Sequence, residues 1–442
     1  MRSGPKPNVT VGRGPCAVAS SLLLLGLVGG CGEPVPPRAQ ALVYLDTDAP
    51  VPRFVSRLRL VVLDGDLAPA CPTCSRSFAV DEQTRWPISF GVAAPADGAP
   101  RLLRATLFPA GRTQLGEPEA ATAIDVIVAL GFDGVEAQSI LLSLDCAGRP
   151  PDLRRRLSCR SREAPAAPIA PAAAGPGGGS LVGSWNRAYA RPCRGQAQPD
   201  TALLDGEVCI EGGVFWMGDY RLRGFGAGDG VPEHAVAVSP FFLERSEFTV
   251  GRYRALVAQG YVPRQRPVTS ADFPQCTLSP MADGSLPLSC VSALEAANLC
   301  RRVGRRLPTE AEWEWAAGSG EQELLYPWGD ALQPLDLASA KAIPVRSRKL
   351  DRTANGLFDV LANLGEHTAD RFDRYSGRCW TPGAYGPNPR CDAARAESPD
   401  FVVARGGHFG IEVPRVSIPA RAALPEVGIP LELGFRCARD DR

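Results

Sequence analysis

The chain carries 14 cysteines, and their placement constrains its fold more than any other feature. Ten come as near neighbours: Cys71 with Cys74, Cys146 with Cys159, Cys193 with Cys209, Cys276 with Cys290, and Cys379 with Cys391. With Cys16 and Cys31 set aside in the N-terminal segment, Cys300 and Cys437 are left over and would pair with each other. An even set of this kind in an exported chain reads as disulfides. Cys71-Pro-Thr-Cys74 also has zinc-ligand spacing, but no second ligand pair lies near it. A disulfide framework needs an oxidising compartment, and the N-terminus supplies the route there.

Arg2, Lys6 and Arg13 form a positive segment, followed by the apolar run AVASSLLLLGLV from Ala17 to Val28. That run is too short to span a bilayer and reads as a secretory signal. It ends in Val28-Gly29-Gly30-Cys31, which resembles a bacterial lipobox, where the cysteine is acylated and becomes the mature N-terminus. Residues 1–30 are therefore expected to be a lipoprotein signal peptide and 31–40 a Pro-rich stalk. The protein is expected to be exported and lipid-anchored in the bacterial cell envelope, at the outer membrane or periplasmic face, with the membrane as one partner.

Formal charge balances, with 48 basic and 48 acidic residues, so the chain shows no electrostatic footprint for nucleic acid. Short β-rich runs recur between turns over 41–160: ALVYLD, LRLVVLD, WPISFGVA, LLRATLFPAG, AIDVIVALGF and SILLSLDC. Strand-length segments at this spacing predict an all-β, sandwich-like domain of unknown function. Residues 161–184 are rich in Ala, Pro and Gly and read as a flexible linker. From 185 to 442 the texture changes to many Gly, Pro and Trp residues with three legible helices. Thr249 caps one that stops at Gly260, and Ser292 with Glu295 forms a capping box for the second. Thr309 with Glu312 forms another box after Pro308, and Gly318 ends that helix.

Seven segments in order carry a family likeness: GGVFWMGD (212–219), PEHAVAVSPFFLERSEFTVGRY (232–253), GRRLPTEAEWEWAAG (304–318), YPWGD (326–330), NGLFDVLANLGEHTAD (355–370), ARGGHFG (404–410) and LGFRCARD (433–440). Together they resemble the formylglycine-generating enzyme, or sulfatase-modifying factor, family over about half the chain. The resemblance implies an α+β fold related to C-type lectins, low in regular structure, with a surface groove for an extended peptide. It also implies the pairing of the second helix's cysteine with that of GFRC, here Cys300 with Cys437.

Members of that family oxidise a substrate cysteine to formylglycine with oxygen and Cu(I) held by two cysteines, a soft ion on soft ligands. The positions that match those cysteines are Ile411 and Val416. Copper is therefore not expected. The family's second calcium site maps onto the backbone carbonyls of Leu361 and Leu364 and the side chains of Asn363 and Glu366, a donor set for a hard cation. A structural calcium is expected there. The family's WEW is Gly365-Glu366-His367 here, and the Ser of its GGS is His408. With Asp370 and Glu412, these two imidazoles form a candidate pocket for a transition metal or ligand.

The function expected from sequence is thus that of a lipid-anchored envelope protein with a divergent, non-catalytic domain that binds a peptide, glycan or partner protein. The alternative is an oxidoreductase of the same family acting through a different metal centre.

Overall fold

The computed structural model describes residues 39–132, 137–185, 187, 189–222, 230–331, 341–380, 387–409 and 416–441. Cys31, Ile411 and Glu412 lie outside the described residues, as do the signal peptide and nearly all of the stalk. No helix among the described residues is long and apolar enough to cross a membrane. The molecule is mostly β with few helices.

The N-terminal region supplies β1 (Gln40–Thr47), β2 (Arg57–Leu63), β3 (Ser75–Ala79), β4 (Ile88–Ala93), β5 (Arg101–Phe108), a small hairpin of β6 (Thr113–Gln114) and β7 (Glu117–Pro118), β8 (Ile124–Leu130) and β9 (Ala137–Leu142). In β1, buried residues alternate with partly exposed ones, so Ala41, Val43 and Leu45 enter the core. β8 is mostly buried and, apart from Asp125, which pairs with Arg104, reads as an apolar run. One sheet has the order β3-β2-β5-β8 and is antiparallel throughout. In the other, β1 pairs antiparallel with β4 and parallel with β9. Val43 and Ile140 of that sheet share one hydrophobic core with Leu58, Leu103 and Val126 of the first.

The Ala/Pro/Gly stretch expected to be a free linker is instead docked. Within it, β11 (Ala167–Pro168) pairs with β10 (Leu157–Ser158), and β12 (Ala173–Ala174) adds to β9. Ala129 donates to Ala170 O at 2.9 Å, and Ala172 donates back to Ala129 O at 3.1 Å. Backbone ladders need no apolar side chains, so hydropathy could not reveal this pairing.

The C-terminal region contributes β13 (Glu207–Ile210), β14 (Gly213–Met217), β15 (His234–Val238), β16 (Phe241–Glu244), α1 (Val250–Ala258), α2 (Ala293–Arg302), α3 (Glu310–Ala317), β17 (Gly365–Arg371), β18 (Phe401–Arg405), β19 (Arg421–Pro425), β20 (Leu433–Gly434) and β21 (Ala438–Asp440). Sheets β13-β16-β21 and β19-β18-β17-β20, with the hairpin β14-β15, surround α3. Thr309 and Glu312 exchange both bonds of a capping box at the start of α3, and every residue of that helix is buried. The box expected at Ser292 is only half made. Ser292 accepts from Glu295 N, but the Glu295 carboxylate turns away to Tyr261 Oη at 2.6 Å and to the N–H groups of Arg264 and Gln265. Glu295 is fully buried, so it takes the partners its tertiary surroundings offer.

The two regions are fastened to each other. Phe54 stacks on Trp216 with ring centroids 4.1 Å apart, and Trp216 Nε1 donates to Phe54 O at 3.0 Å. The Arg112 guanidinium of the first region donates two hydrogen bonds to the buried carboxyl group of Glu233 of the second. Six disulfides complete the framework: Cys71–Cys74, Cys146–Cys159, Cys193–Cys209, Cys276–Cys290, Cys300–Cys437 and Cys379–Cys391.

Candidate functional site

The segment Arg405-Gly406-Gly407 leaves the end of β18 and packs against the loop 360–361. Gly406 has φ +77, and a Cβ there or at Gly407 would collide with the carbonyl oxygens of Val360 or Leu361. Only glycine allows both the left-handed backbone and the close approach. Arg405 lies fully buried beneath this turn. Its Nη2 reaches Glu314 at 2.6 Å, Glu310 at 2.8 Å and Tyr375 Oη at 2.7 Å. Arg421 completes the network, binding Glu310 at 2.7 Å with its guanidinium 4.1 Å from the Tyr375 ring centre. These charges are paired among themselves and hold the sheet to α3. They are a structural hub.

Of the two positions that the resemblance matches to the family's metal-binding cysteines, the described one, Val416, is 3% exposed and belongs to the main hydrophobic core, against Gly407. The cysteines of the described residues are all joined in the six disulfides, so none of them offers a free thiolate.

The loop before β17 was expected to hold calcium. Asn363 sits at φ +81, a backbone state that Asn tolerates better than most residues. Its Oδ1 accepts from Ile343 N at 2.9 Å, and its Nδ2 donates to Glu247 at 2.9 Å. The Leu364 N–H donates to the same carboxylate at 3.0 Å. Glu366 accepts from Arg436 Nε at 2.8 Å and from Trp313 Nε1 at 2.8 Å. Asn363 and Glu366 therefore have protein partners already. The same loop nevertheless gathers four buried carboxylates, Glu247, Asp351, Asp359 and Glu366, around the buried guanidinium of Arg436. Burial pushes Asp351 up to about 7 and Asp359 up to about 6, and it drives Glu247 well above the usual carboxylate range. Asp359 Oδ1 is buried without a hydrogen-bond partner. These clustered oxygens, one of them unused on Asp359, are hard donors of the kind a cation such as calcium takes, with Asp359 rather than Asn363 offering the unpartnered side-chain atom.

The described residues of the expected imidazole pocket each have hydrogen-bond partners of their own, and Glu412 lies outside the described residues. His367 and Glu366 are adjacent on β17 and point to opposite faces of the sheet. The His367 ring is 1% exposed, and its Nε2 lies 2.9 Å from Val291 O, the residue before the α2 cap. A carbonyl can only accept, so Nε2 carries the proton and Nδ1 is left without a partner. Burial lowers the pKa of this ring to about 4, so it stays neutral. His408 is half-buried, and its Nδ1 is 2.8 Å from Phe409 O. Asp370 accepts from Glu310 N at 2.7 Å and Cys391 N at 2.6 Å. Burial, reinforced by Glu310, pushes it up to about 7. It braces α3 and is not available to orient an imidazole. The one cluster with metal-ligand geometry among the described residues, Asp373 with Cys379 and Cys391, has its two sulfurs in a disulfide.

A groove of about 750 Å³ runs along α2, with Leu294, Ala297, Arg301, Thr368, Arg390 and Glu426 among its lining residues. Its mixed apolar and charged walls suit an extended polar chain.

The model of the sulfatase-modifying factor enzyme 1-like domain matches residues 194–441. The chain belongs to that family. The formylglycine-generating enzyme of Streptomyces coelicolor is 28% identical over 290 residues, covering 53% of this chain and 89% of its own. A mouse relative named inactive C-alpha-formylglycine-generating enzyme 2 is 30% identical over 159 residues, 35% of this chain and 49% of its own. Among solved structures, PvdO from Pseudomonas aeruginosa aligns with 21% identity and a TM-score of 0.46, covering 57% of this chain and 99% of that one.

Within this sulfatase-modifying factor-like domain, sequence reading missed the carboxylates at Glu247, Asp351 and Asp359. They are scattered over more than a hundred residues and give no local spacing signal. The only hint was an Asp in FDVLAN, inside an otherwise apolar loop.

Proposed function

We propose that this protein is an exported, envelope-anchored member of the sulfatase-modifying factor family whose domain binds a peptide, glycan or partner protein and does not generate formylglycine. The reading rests on one observation: a buried Val416 stands at a position that matches one of the family's Cu(I)-binding cysteines, while the described cysteines are locked in disulfides. Cu(I) needs soft ligands, and an aliphatic side chain in a packed core offers none. The groove beside α2 supports a binding role, and the mouse relative named inactive C-alpha-formylglycine-generating enzyme 2 is compatible with a non-catalytic domain. A disulfide framework of this density suits an oxidising, extracytoplasmic compartment. Acylated Cys31 is proposed as the anchor, and calcium, bound through Asp359 and the neighbouring loop, as a structural ion.

The test is direct. Purified protein is given a sulfatase-type cysteine peptide, Cu(I) and oxygen, and the peptide is followed by mass spectrometry. No formylglycine above a no-protein control is expected. Conversion above that control overturns the non-catalytic reading.

A further inference from the structure

The two N-terminal sheets part along one side. β3 is an edge strand of the first sheet and β4 an edge strand of the second, and between them lies a cleft of about 820 Å³. That volume falls within the roughly 300–1,000 Å³ of small-molecule sites. Leu60, Val62, Phe78, Ile88, Phe90 and Val92 line it, and its floor reaches the buried Leu58 and Leu103 of the core.

Among the described residues, the strand pattern leaves this apolar surface uncovered. In β4, Ile88, Phe90 and Val92 alternate with exposed Ser89, Gly91 and Ala93, which is the pattern of a strand with one core-facing side. Yet those three apolar residues are only half-buried, as are Leu60 and Val62 opposite them. Every residue of β3 is exposed, including Phe78 at 43%. Among the described residues no strand lies beyond either edge.

The charge around the cleft selects among occupants. Its lining includes Arg76 and Arg85 and contains no Asp or Glu. Both arginines are exposed, and neither pairs with a carboxylate among the described residues. By contrast, Arg306 and Arg371 in the α2 groove are neutralised by Glu312 and Glu426. A peptide strand added to an edge would leave both guanidinium groups unmatched. A carboxylate or phosphate head would match them, because guanidinium forms short, paired hydrogen bonds to such anions.

We propose that the cleft between β3 and β4 binds a long-chain anionic amphiphile of the fatty-acid type. The acyl chain lies on Leu60, Val62 and Phe90, and the head sits between Arg76 and Arg85. This site is separate from the α2 groove and does not depend on the anchor at Cys31.

Delipidated, detergent-free protein is titrated with cis-parinaric acid, and binding is read as the rise in its fluorescence. Palmitate and hexadecanol are then used as displacers, with the same chain and with or without a charge. One site per chain is expected, with palmitate displacing at least tenfold more tightly than hexadecanol. The double variant Arg76→Glu/Arg85→Glu changes only exposed positions and should keep the wild-type circular dichroism while losing at least tenfold in palmitate affinity. Val62→Glu should abolish binding, and its spectrum reports whether it has folded. Absence of saturable binding to folded wild-type protein overturns the proposal, as does equal palmitate affinity in wild type and the arginine variant. Light scattering supplies the remaining check. A dimer that persists in excess palmitate and dissociates in Val62→Glu means that a second copy fills the cleft, and the proposal is then wrong.

Discussion

Removing Cys300–Cys437 should cost far more stability than removing Cys71–Cys74, and the difference can be worked from the chain. The first bridge joins α2 to the segment entering β21 with a sequence separation of 137, whereas the second spans a separation of 3. Loop-closure entropy grows with the logarithm of loop length. It gives about 5 kcal/mol for the long loop and about 1.6 kcal/mol for the short one. Cys300 and Cys437 are also fully buried beside Leu299 and Phe435, whereas Cys71 and Cys74 lie partly exposed. Truncating two buried sulfurs adds about 1 kcal/mol each in lost packing. The expected losses are therefore about 7 kcal/mol for Cys300→Ala/Cys437→Ala and under about 2 kcal/mol for Cys71→Ala/Cys74→Ala. Guanidinium unfolding followed by tryptophan fluorescence gives both numbers on one scale. If the two losses agree within about 1 kcal/mol, loop closure is not what these bridges contribute. Free thiols at Cys300 and Cys437 in exported protein would refute the pairing itself.

Phe54→Ala removes the ring stacked on Trp216 and should cost about 3–4 kcal/mol. Calorimetry should show the N-terminal sheets melting ahead of the remainder, and one unshifted transition would contradict that. Burial pushes Glu233 up to about 8 and Glu323 up to about 7, even though Arg112 pulls both down. Both values lie above the ordinary carboxylate value, so folding favours the protonated forms; the resulting stability is full below about 4.5 and declines as pH rises through 7 and 8. Melting temperature should therefore fall between pH 6 and pH 9 and fall further in Arg112→Ala; a rise over that range contradicts the assignment. Chelation should lower the melting temperature of wild type, and Asp359→Asn should remove that sensitivity. A wild type indifferent to both chelator and added calcium would leave the acidic loop metal-free.

The N-terminal strands that alternate apolar and polar residues were legible, and so were the caps at Thr249 and Thr309 and the cysteine neighbours. All of these are local. A strand's two faces and a helix's first turn are set by residues within a few positions of each other, so periodicity and spacing report them. β3 was missed because Ser75–Ala79 has no buried face to impose a pattern. The docked stretch containing β12 was missed because its contacts are made by backbone.

The site divides in the same way. The sequence alone determined that Ile411 and Val416 cannot bind Cu(I), because that is a property of the side chains themselves. It also placed Glu366, His367 and His408 near the turn at Gly406, since motif order carries that much. It could not say which way each side chain faces or which partner reaches it first. Arg436 lies 70 residues from Glu366, and Val291 lies 76 residues from His367, yet these contacts decide that one carboxylate is paired and one imidazole is sealed. Glu247 is 116 residues from Asn363 and takes its amide. Hydrogen bonding and burial act through space with no memory of chain separation, so only the tertiary structure could settle which polar groups are spent inside the protein and which remain free to bind.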